Sequence, residues 1–400
     1  MNLTPASFGS VGVLLIVACL IAMLTRRLGL PYSVGLVAAG LLIAFVPDAP
    51  QLPLSRDLIF NIFLPPLVFE AALQLEWKQF RRELPVTLLL SFVGVAIASA
   101  AVAVGMHLLL GWGWIGSTLF AVLIAATDPV AVIAAFKEMR AERRLSMLVE
   151  SESLLNDGVV AVAFVVLAGI AAGGAVGVDV VPTFLWTMVG GVLIGGLAGG
   201  AMLLIAGRTN DHLVEITLTT LAAYASFLIA EQVHASGILA SLTAGLLLGN
   251  AGAIGAISDQ SRGHVLAFWE YVAFLANSVV FLLIGMHVAG QPFGQIGLFA
   301  AAAAIVLVLI GRLLAVYPLA LVFTRSRLRL PLGYQHVLFW GGLRGALALA
   351  LALALPAAIP ERAAIIVTAF AVVAFSIFVQ GLTMPALLRR LDLIEPEDAA

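Results

Sequence analysis

The chain has 400 residues, 62% of them hydrophobic and only 10% charged, with a net charge of −2 and a mean hydropathy of +1.13. An average soluble domain carries about 25% charged residues, so this composition belongs to a polytopic membrane protein. No basic stripe or soluble module is present to hold nucleic acid, and a single cysteine, Cys19, excludes an internal disulfide framework and a thiolate metal cluster.

Apolar runs of roughly 17 to 25 residues between short polar turns mark the crossings. In chain order they cover residues 10–25, 32–46, 57–75, 84–110, 115–136, 146–172, 180–206, 213–230, 235–250, 264–288, 293–323, 334–355 and 362–388, about thirteen in all. The first run lacks a basic leader and a small-residue cleavage site, so it is expected to be retained as a span. Placing the N-terminus outside puts sixteen of the twenty Lys and Arg residues in cytoplasmic loops and leaves only Arg56 and Arg362 outside, with Arg312 and Arg344 inside spans. That alternation follows the positive-inside rule and sets the C-terminus in the cytoplasm. The location expected is the cell's inner (plasma) membrane.

Thirteen spans divide into two sets of six around a seventh. An inverted repeat is therefore expected, with residues 1–172 as the first repeat, 180–206 as the connecting span, 213–388 as the second repeat and 389–400 as a short tail, all within one transmembrane domain. Spans 5 and 12 then occupy equivalent positions, and both are interrupted. Span 5 contains Thr127-Asp128-Pro129 and span 12 contains Gly341-Gly342-Leu343-Arg344-Gly345. Proline removes a helix donor and glycine weakens helix by about 1 kcal/mol each. Two such breaks at related positions predict two broken helices that cross at a mid-membrane binding site. The fold class is all-α, with inverted six-helix repeats.

Asp128 before Pro129 suits an N-cap on the second half of span 5, its carboxylate facing the positive end of the dipole. It either caps only, or also offers oxygen to a cation beside the Thr127 carbonyl freed by the break.

Span 6 carries Glu150-Ser151-Glu152-Ser153-Leu154-Leu155-Asn156-Asp157-Gly158. An ionised side chain near a helix centre costs roughly 2.5 to 3.5 kcal/mol on insertion scales, so a function must retain Glu152 and Asp157 there. Glu152 with Asn156 and Ser153 with Asp157 are i, i+4 pairs, forming two columns on one side of the helix. Asp157 is the leading candidate for binding either a proton or a cation, since burial favours its acid form and a nearby cation its ionised form. Asn156 cannot titrate, so one carboxylate trades one proton for one monovalent cation. Arg344 needs an acidic partner, with Glu152 the first choice and Glu70 the second. Counted together, Glu70, Asp128, Glu152 and Asp157 outnumber Arg344 by three charges, so protons or a bound cation must neutralise part of the cluster.

Other polar residues carry less. The six histidines, His107, His212, His234, His264, His287 and His336, lie mostly near span ends, as do Glu231 and Glu270. Asn277-Ser278 reads as a packing pair, and Gly190-Gly191, Gly195-Gly196 and Gly199-Gly200 give span 7 small-xxx-small spacing for close helix packing.

Thr127-Asp128-Pro129, Glu152-Ser153-Leu154-Leu155-Asn156-Asp157, Phe69-Glu70-Ala71, Ser236-Gly237-Ile238-Leu239-Ala240 and Gly341-Gly342-Leu343-Arg344-Gly345-Ala346 together resemble the NhaP and NHE-type monovalent cation:proton antiporters. The resemblance implies a homodimer whose protomers combine a dimerisation part with a mobile six-helix core. It implies ion binding by Asp157, Asp128, Ser153 and the Thr127 carbonyl, with Glu70 nearby through water, and a Glu152–Arg344 pair. The expected activity is Na+ (or Li+) exchange for H+, electroneutral and one for one, with no cofactor. A K+/H+ antiporter of the same fold is the alternative. An intramembrane enzyme is disfavoured, because no His-Glu-x-x-His or similar ligand spacing occurs and no loop is long enough for a soluble active site.

Overall fold

The computed structural model describes residues 5–47, 54–128, 132–133, 136, 139–171, 173, 180–206, 211–250 and 259–394. All thirteen stretches expected as spans contain helix within these residues. The helices are α1 (Pro5–Leu28), α2 (Tyr32–Ile43), α3 (Arg56–Gln74), α4 (Trp77–Leu110), α5 (Trp114–Leu123), α6 (Arg143–Ala171), α7 (Val180–Ala206), α8 (His212–Gln232), α9 (Gly237–Gly249), α10 (Asp259–Ala289), α11 (Phe293–Val322), α12 (Leu332–Trp340), α13 (Ala346–Leu353) and α14 (Arg362–Arg390). Eight of them are long and apolar enough to cross a membrane, and α2, α5 and α9 are shorter apolar helices. Among the described residues there is no strand, only an isolated antiparallel bridge between Ala141 and Ile394.

Packing partners sort the helices into two groups. In one, α10 lies on α2, α9 is wedged among α3, α7 and α8, and α1 lies against α2 and α10. In the other, α11 lies on α4 and α14, α5 and α6 pack on α4 and on each other, and α13 packs on α14. The large apolar residues left exposed, such as Leu185, Val189, Leu193 and Leu197 on α7, suit a hydrocarbon solvent rather than water.

Small residues set the closest contacts, as expected where lipid supplies no hydrophobic drive between helices. One glycine of each α7 pair makes the close contact that the spacing predicts: Gly191, Gly195 and Gly199 face Ser236, Ala240 and Ala244, at the N-cap of α9 and along it, while Gly196 and Gly200 face open space. On the α2–α10 seam, a Cβ at Gly40 would fall 2.1 Å from the Leu282 carbonyl, and one at Gly285 would fall 2.2 Å from the Val37 carbonyl.

Among the described residues, three helices carry a wide π-turn, at Ile59–Phe63 in α3, Leu90–Gly94 in α4 and Ser376–Gly381 in α14. The first precedes Pro65-Pro66, which lack the amides that the previous turn would use. One carbonyl so released, that of Ile62, accepts the Tyr224 hydroxyl at 3.1 Å, and the Pro65 carbonyl accepts Ser241 Oγ at 3.1 Å. Helix α3 is thus tied to α8 and α9 by polar contacts inside an apolar bundle.

Gly40→Val is expected to lower the melting temperature of the detergent-solubilised protein sharply, because backbone rather than a flexible side chain occupies the space. Gly12→Ala, with nothing within 4 Å of its added carbon, is expected to change it little. Equal shifts in a thermal unfolding assay would show that the α2–α10 seam is not close-packed.

Candidate functional site

The two interrupted spans meet. Helix α5 ends at Leu123, and the five residues from Gly341 to Gly345 separate α12 from α13. The Asp128 amide donates to the Leu343 carbonyl at 2.7 Å, joining one break to the other. Gly345 is the N-cap of α13, and a Cβ there would lie 1.8 Å from Asp128 Oδ2. The Asp128 carboxylate therefore sits at the positive end of α13, where a helix N-terminus favours an anion. Its expected partner, Pro129, lies outside the described residues.

The opposite ends of the half-helices carry bare carbonyls, which attract cations. Arg344 Nη1 donates to the Ala125 and Ala126 carbonyls just past α5, at 2.8 and 3.2 Å. Arg312, on α11, donates from Nε and Nη2 to the Leu338 carbonyl near the end of α12, at 3.1 and 2.9 Å. Each half-helix that ends in the membrane thus ends on a guanidinium.

Arg312 also corrects an expectation. Glu152 pairs with Arg312, through Nη1–Oε1 at 2.8 Å and Nη2–Oε2 at 3.1 Å, and not with Arg344. The second choice fails too, since the Glu70 carboxylate accepts a hydrogen bond from Gln74 one turn along α3. The cause lies in the break itself. Ser376 Oγ accepts the Arg344 amide and donates to the Arg344 carbonyl, both at 3.0 Å, which fixes the backbone so that the side chain reaches across to α5. Arg312 was visible in the sequence as an intramembrane cation, and that alone marks a functional residue; its partner was not, because it depends on how α6 faces α11.

The π-turns recur here. Ser91, in the wide turn of α4, donates to the Glu152 carbonyl at 3.1 Å. Ser376 begins the wide turn of α14, and Gln380 in the same turn donates to the Trp340 carbonyl at 3.0 Å. A π-turn redirects backbone and side chains locally, and such turns are frequent at functional sites.

Between the breaks and α6 lies a ring of oxygens. Ser153 Oγ donates to the Thr127 carbonyl at 2.6 Å and accepts from Thr127 Oγ1 at 3.2 Å. The Thr127 backbone, Asp128, Glu152 and Arg344 all lie within electrostatic reach of the Asp157 carboxylate. Asp157 Oδ1 is buried with no hydrogen-bond partner, as is Asn156 Oδ1. A cavity of about 300 Å³ ends on this ring. Asp128 and Asp157 lie on its wall, with Glu70, Glu150, Glu270 and Asn277, so both helix groups contribute. Asn277, expected only to pack, faces this cavity, while Ser278 bonds the Tyr32 hydroxyl at 2.8 Å.

The donor set is all oxygen: carboxylate, hydroxyl and main-chain carbonyl. That chemistry suits a hard cation. Among the described residues, no group of three or more His, Cys, Asp or Glu side chains is arranged to hold a metal ion. Carboxylate, hydroxyl and carbonyl oxygens of this kind are the donors that a small monovalent cation or a proton takes.

Arg312→Gln, which strands a buried carboxylate, is expected to cost about 3–5 kcal/mol of stability, with Glu152→Gln/Arg312→Gln together costing less than the sum of the single changes. A double-mutant cycle that found coupling of Glu152 to Arg344 instead would contradict the observed pairing.

Comparison with known proteins identifies the family. The family model described as sodium/hydrogen exchanger, transmembrane, matches residues 13–390. The low-affinity Na(+)/H(+) antiporter NhaS1 of Synechocystis is 39% identical over 91% of this chain and 70% of its own length. The Na(+)/H(+) antiporter NhaP of Pseudomonas aeruginosa is 32% identical over 95% of this chain and 97% of its own. The sodium proton antiporter MjNhaP1 of Methanocaldococcus jannaschii, solved at pH 8, shares the fold at a TM-score of 0.77 and 20% identity, covering 96% of this chain and 98% of that one. An oxygen-lined site at two crossed helix breaks, on a chain matched almost end to end, places the protein in the transmembrane sodium/hydrogen exchanger family.

Proposed function

We propose that the protein is a secondary active antiporter that exchanges Na+, or Li+, for H+ one for one, with cation and proton competing for Asp157. The observation that carries this reading is the bare, buried Asp157 oxygen at the end of the cavity. A carboxylate there needs a proton or a cation to complete it, and it cannot hold both.

Asp157 binds, Asp128 adds field and oxygen, and Ser153 with the Thr127 carbonyl completes the oxygen set. Glu70 stands on the cavity wall, one turn from Gln74, where it draws cations inward. Glu152 and Arg312 hold α6 to α11 and α12, and Arg344 joins the two breaks. Asn156 lies next to the ion-binding Asp157 without titrating. Pro129, which follows Asp128 in the sequence, is assigned a supporting role as the proline that interrupts span 5. Transport follows by alternating access: α4–α6 with α11–α14 form the mobile core, and α1–α3 with α7–α10 form the scaffold. The cavity between them supports that division. Its acidic wall residues Glu70 and Glu150 lie toward the ends of α3 and α6 next to loops rich in Lys and Arg, so we read this as the inward-open state. The two halves, 1–172 and 213–388, are inverted repeats whose fifth members cross, and the protomers pair as a homodimer in the inner membrane with the N-terminus outside.

In proteoliposomes with an imposed sodium gradient, internal pH is expected to change equally with and without a potassium/valinomycin clamp. Movement that required the clamp would sink electroneutrality; movement driven by potassium and not sodium or lithium would give the K+/H+ alternative. Asp157→Asn is expected to abolish exchange in protein that still folds, and wild-type turnover would mean that another carboxylate carries the ion. The apparent KM for Na+ is expected to rise roughly tenfold per unit as pH falls through the titration of the site, as for one proton competing with one cation. A KM independent of pH would rule out a shared site.

A further inference from the structure

The half-helices α5 and α13 are also held at the ends that point away from the breaks. Helix α13 alternates alanine and leucine and is buried from Ala346 to Ala352. It carries no polar side chain, and apolar contacts are not directional, so its position along its own axis is set at its two ends. One end is Gly345 against Asp128. At the other, Arg362 Nε donates to the Leu355 carbonyl at 2.9 Å and Nη2 to the Leu353 carbonyl at 3.4 Å. A cation therefore stands at the negative end of α13.

The preceding residue does the converse for α5. Glu361 Oε1 accepts the Gly113 amide at 2.9 Å, and Gly113 is the N-cap of α5. The carboxylate lies so close to the first turn that a Cβ at Gly116 would fall 2.6 Å from Oε2. Anion and cation, adjacent in sequence, thus meet the positive end of one half-helix and the negative end of the other. Both stand at the start of α14, where Glu361 is the N-cap and its carbonyl accepts the Ile365 amide at 2.8 Å. Helix α13 packs on α14 and on α5. The 14 residues Arg362–Phe375, roughly 21 Å of helix, lead from this dyad to Ser376, which holds the amide and the carbonyl of Arg344 at the break. One helix therefore meets the half-helices at their far ends and the second break at its middle.

We propose that α14 is a splint for the ion site, with Glu361 and Arg362 as positioning residues that act on it through α5 and α13. By fixing both far ends against one helix, they set how far α5 stands along α13. That in turn sets where the Thr127 carbonyl and Asp128, just beyond α5, stand relative to Arg344 and Gly345, just before α13. With either charge removed, the half-helix it holds can slide by a fraction of a turn. The Arg344 contacts to the Ala125 and Ala126 carbonyls then lengthen, and the oxygens beside Asp157 lose their spacing. The effect on sodium rests on the antiporter reading; the coupling of the far ends to the breaks does not.

The test compares Glu361→Gln, Arg362→Gln and Gly116→Ala with wild type in the full-length protein. Gly116→Ala displaces the carboxylate from α5 and leaves every charge in place, so it decides the matter if a charge variant fails to fold. Hydrogen–deuterium exchange in nanodiscs reads the breaks through the Asp128 and Arg344 amides, which bond to Leu343 and Ser376. They are expected to exchange roughly three- to tenfold faster in each variant, the scale of a lost helix-end charge. In proteoliposomes the KM for Na+ is expected to rise by a similar factor, with the maximal rate within about twofold of wild type, as for lost ground-state binding. Arg362→Lys, which keeps a cation at the end of α13, is expected to recover most of both. Wild-type exchange at the breaks in all folded variants would overturn the proposal, and so would a lowered melting temperature with no other change. Faster exchange with an unchanged KM would overturn the link to the ion. A wild-type protein that moved no sodium would refute the antiporter reading instead, and the exchange measurement would still decide on the splint.

Discussion

Two helices broken in the middle of a membrane create unsatisfied backbone ends in a medium that tolerates none, and the rest of the structure is arranged around that problem. Each end described here is met by a side chain from elsewhere. The α5 carbonyls take Arg344, the α12 carbonyl takes Arg312, and the α13 N-terminus takes Asp128. Water could do this in a soluble protein; here the groups must come from the chain, which is why ionisable residues stand at these positions. The same breaks supply what a cation needs, since a carbonyl no longer used by a helix can serve as a ligand.

The buried Glu152–Arg312 pair belongs to this arrangement rather than to chemistry. A buried ion pair is weak evidence for stability, because desolvation offsets much of the attraction. Its value is geometric: one guanidinium grips the carboxylate of α6 and the end of α12 at once. The helix carrying Asp157 and the helix ending at the second break are thereby fixed to each other. If they moved separately, Asp157 and Asp128 would lose register and the oxygen ring would open.

Much of this was legible in the sequence because membrane physics makes polar residues conspicuous. Thr127-Asp128, the glycine-rich break and Ser153 through Asp157 stand out against hydrocarbon, and the structure brings them together. Most helix ends fall near the expected bounds, since apolar length sets them, but α1, α4 and α10 begin at Pro5, Trp77 and Asp259, ahead of the expected 10, 84 and 264. Facing was harder to read. Glu152 points to an arginine 160 residues away in sequence, and Arg344 and Arg312 were equally visible as candidates; only the rotation of α6 and the Ser376 brace choose between them. The π-turns left no periodic signal, and serines at positions 91 and 376 read as ordinary small residues.

The observed pairing also simplifies the charge at the proposed site. With Glu152 neutralised by Arg312, and Glu70 out on the cavity wall beside Gln74, the inner cluster is Asp128 and Asp157 against Arg344. Two carboxylates and one guanidinium leave a single negative charge. One proton neutralises it, and so does one monovalent cation. On the proposed exchange, a core loaded with either would present a neutral interior to the membrane, whereas the empty state would carry an uncompensated charge that low dielectric penalises. The same electrostatics would then favour movement when loaded and oppose it when empty, the condition that an exchanger needs of a two-state core. Asn156 is consistent with this balance: a second carboxylate in its place would leave one more charge than a single monovalent ion could offset.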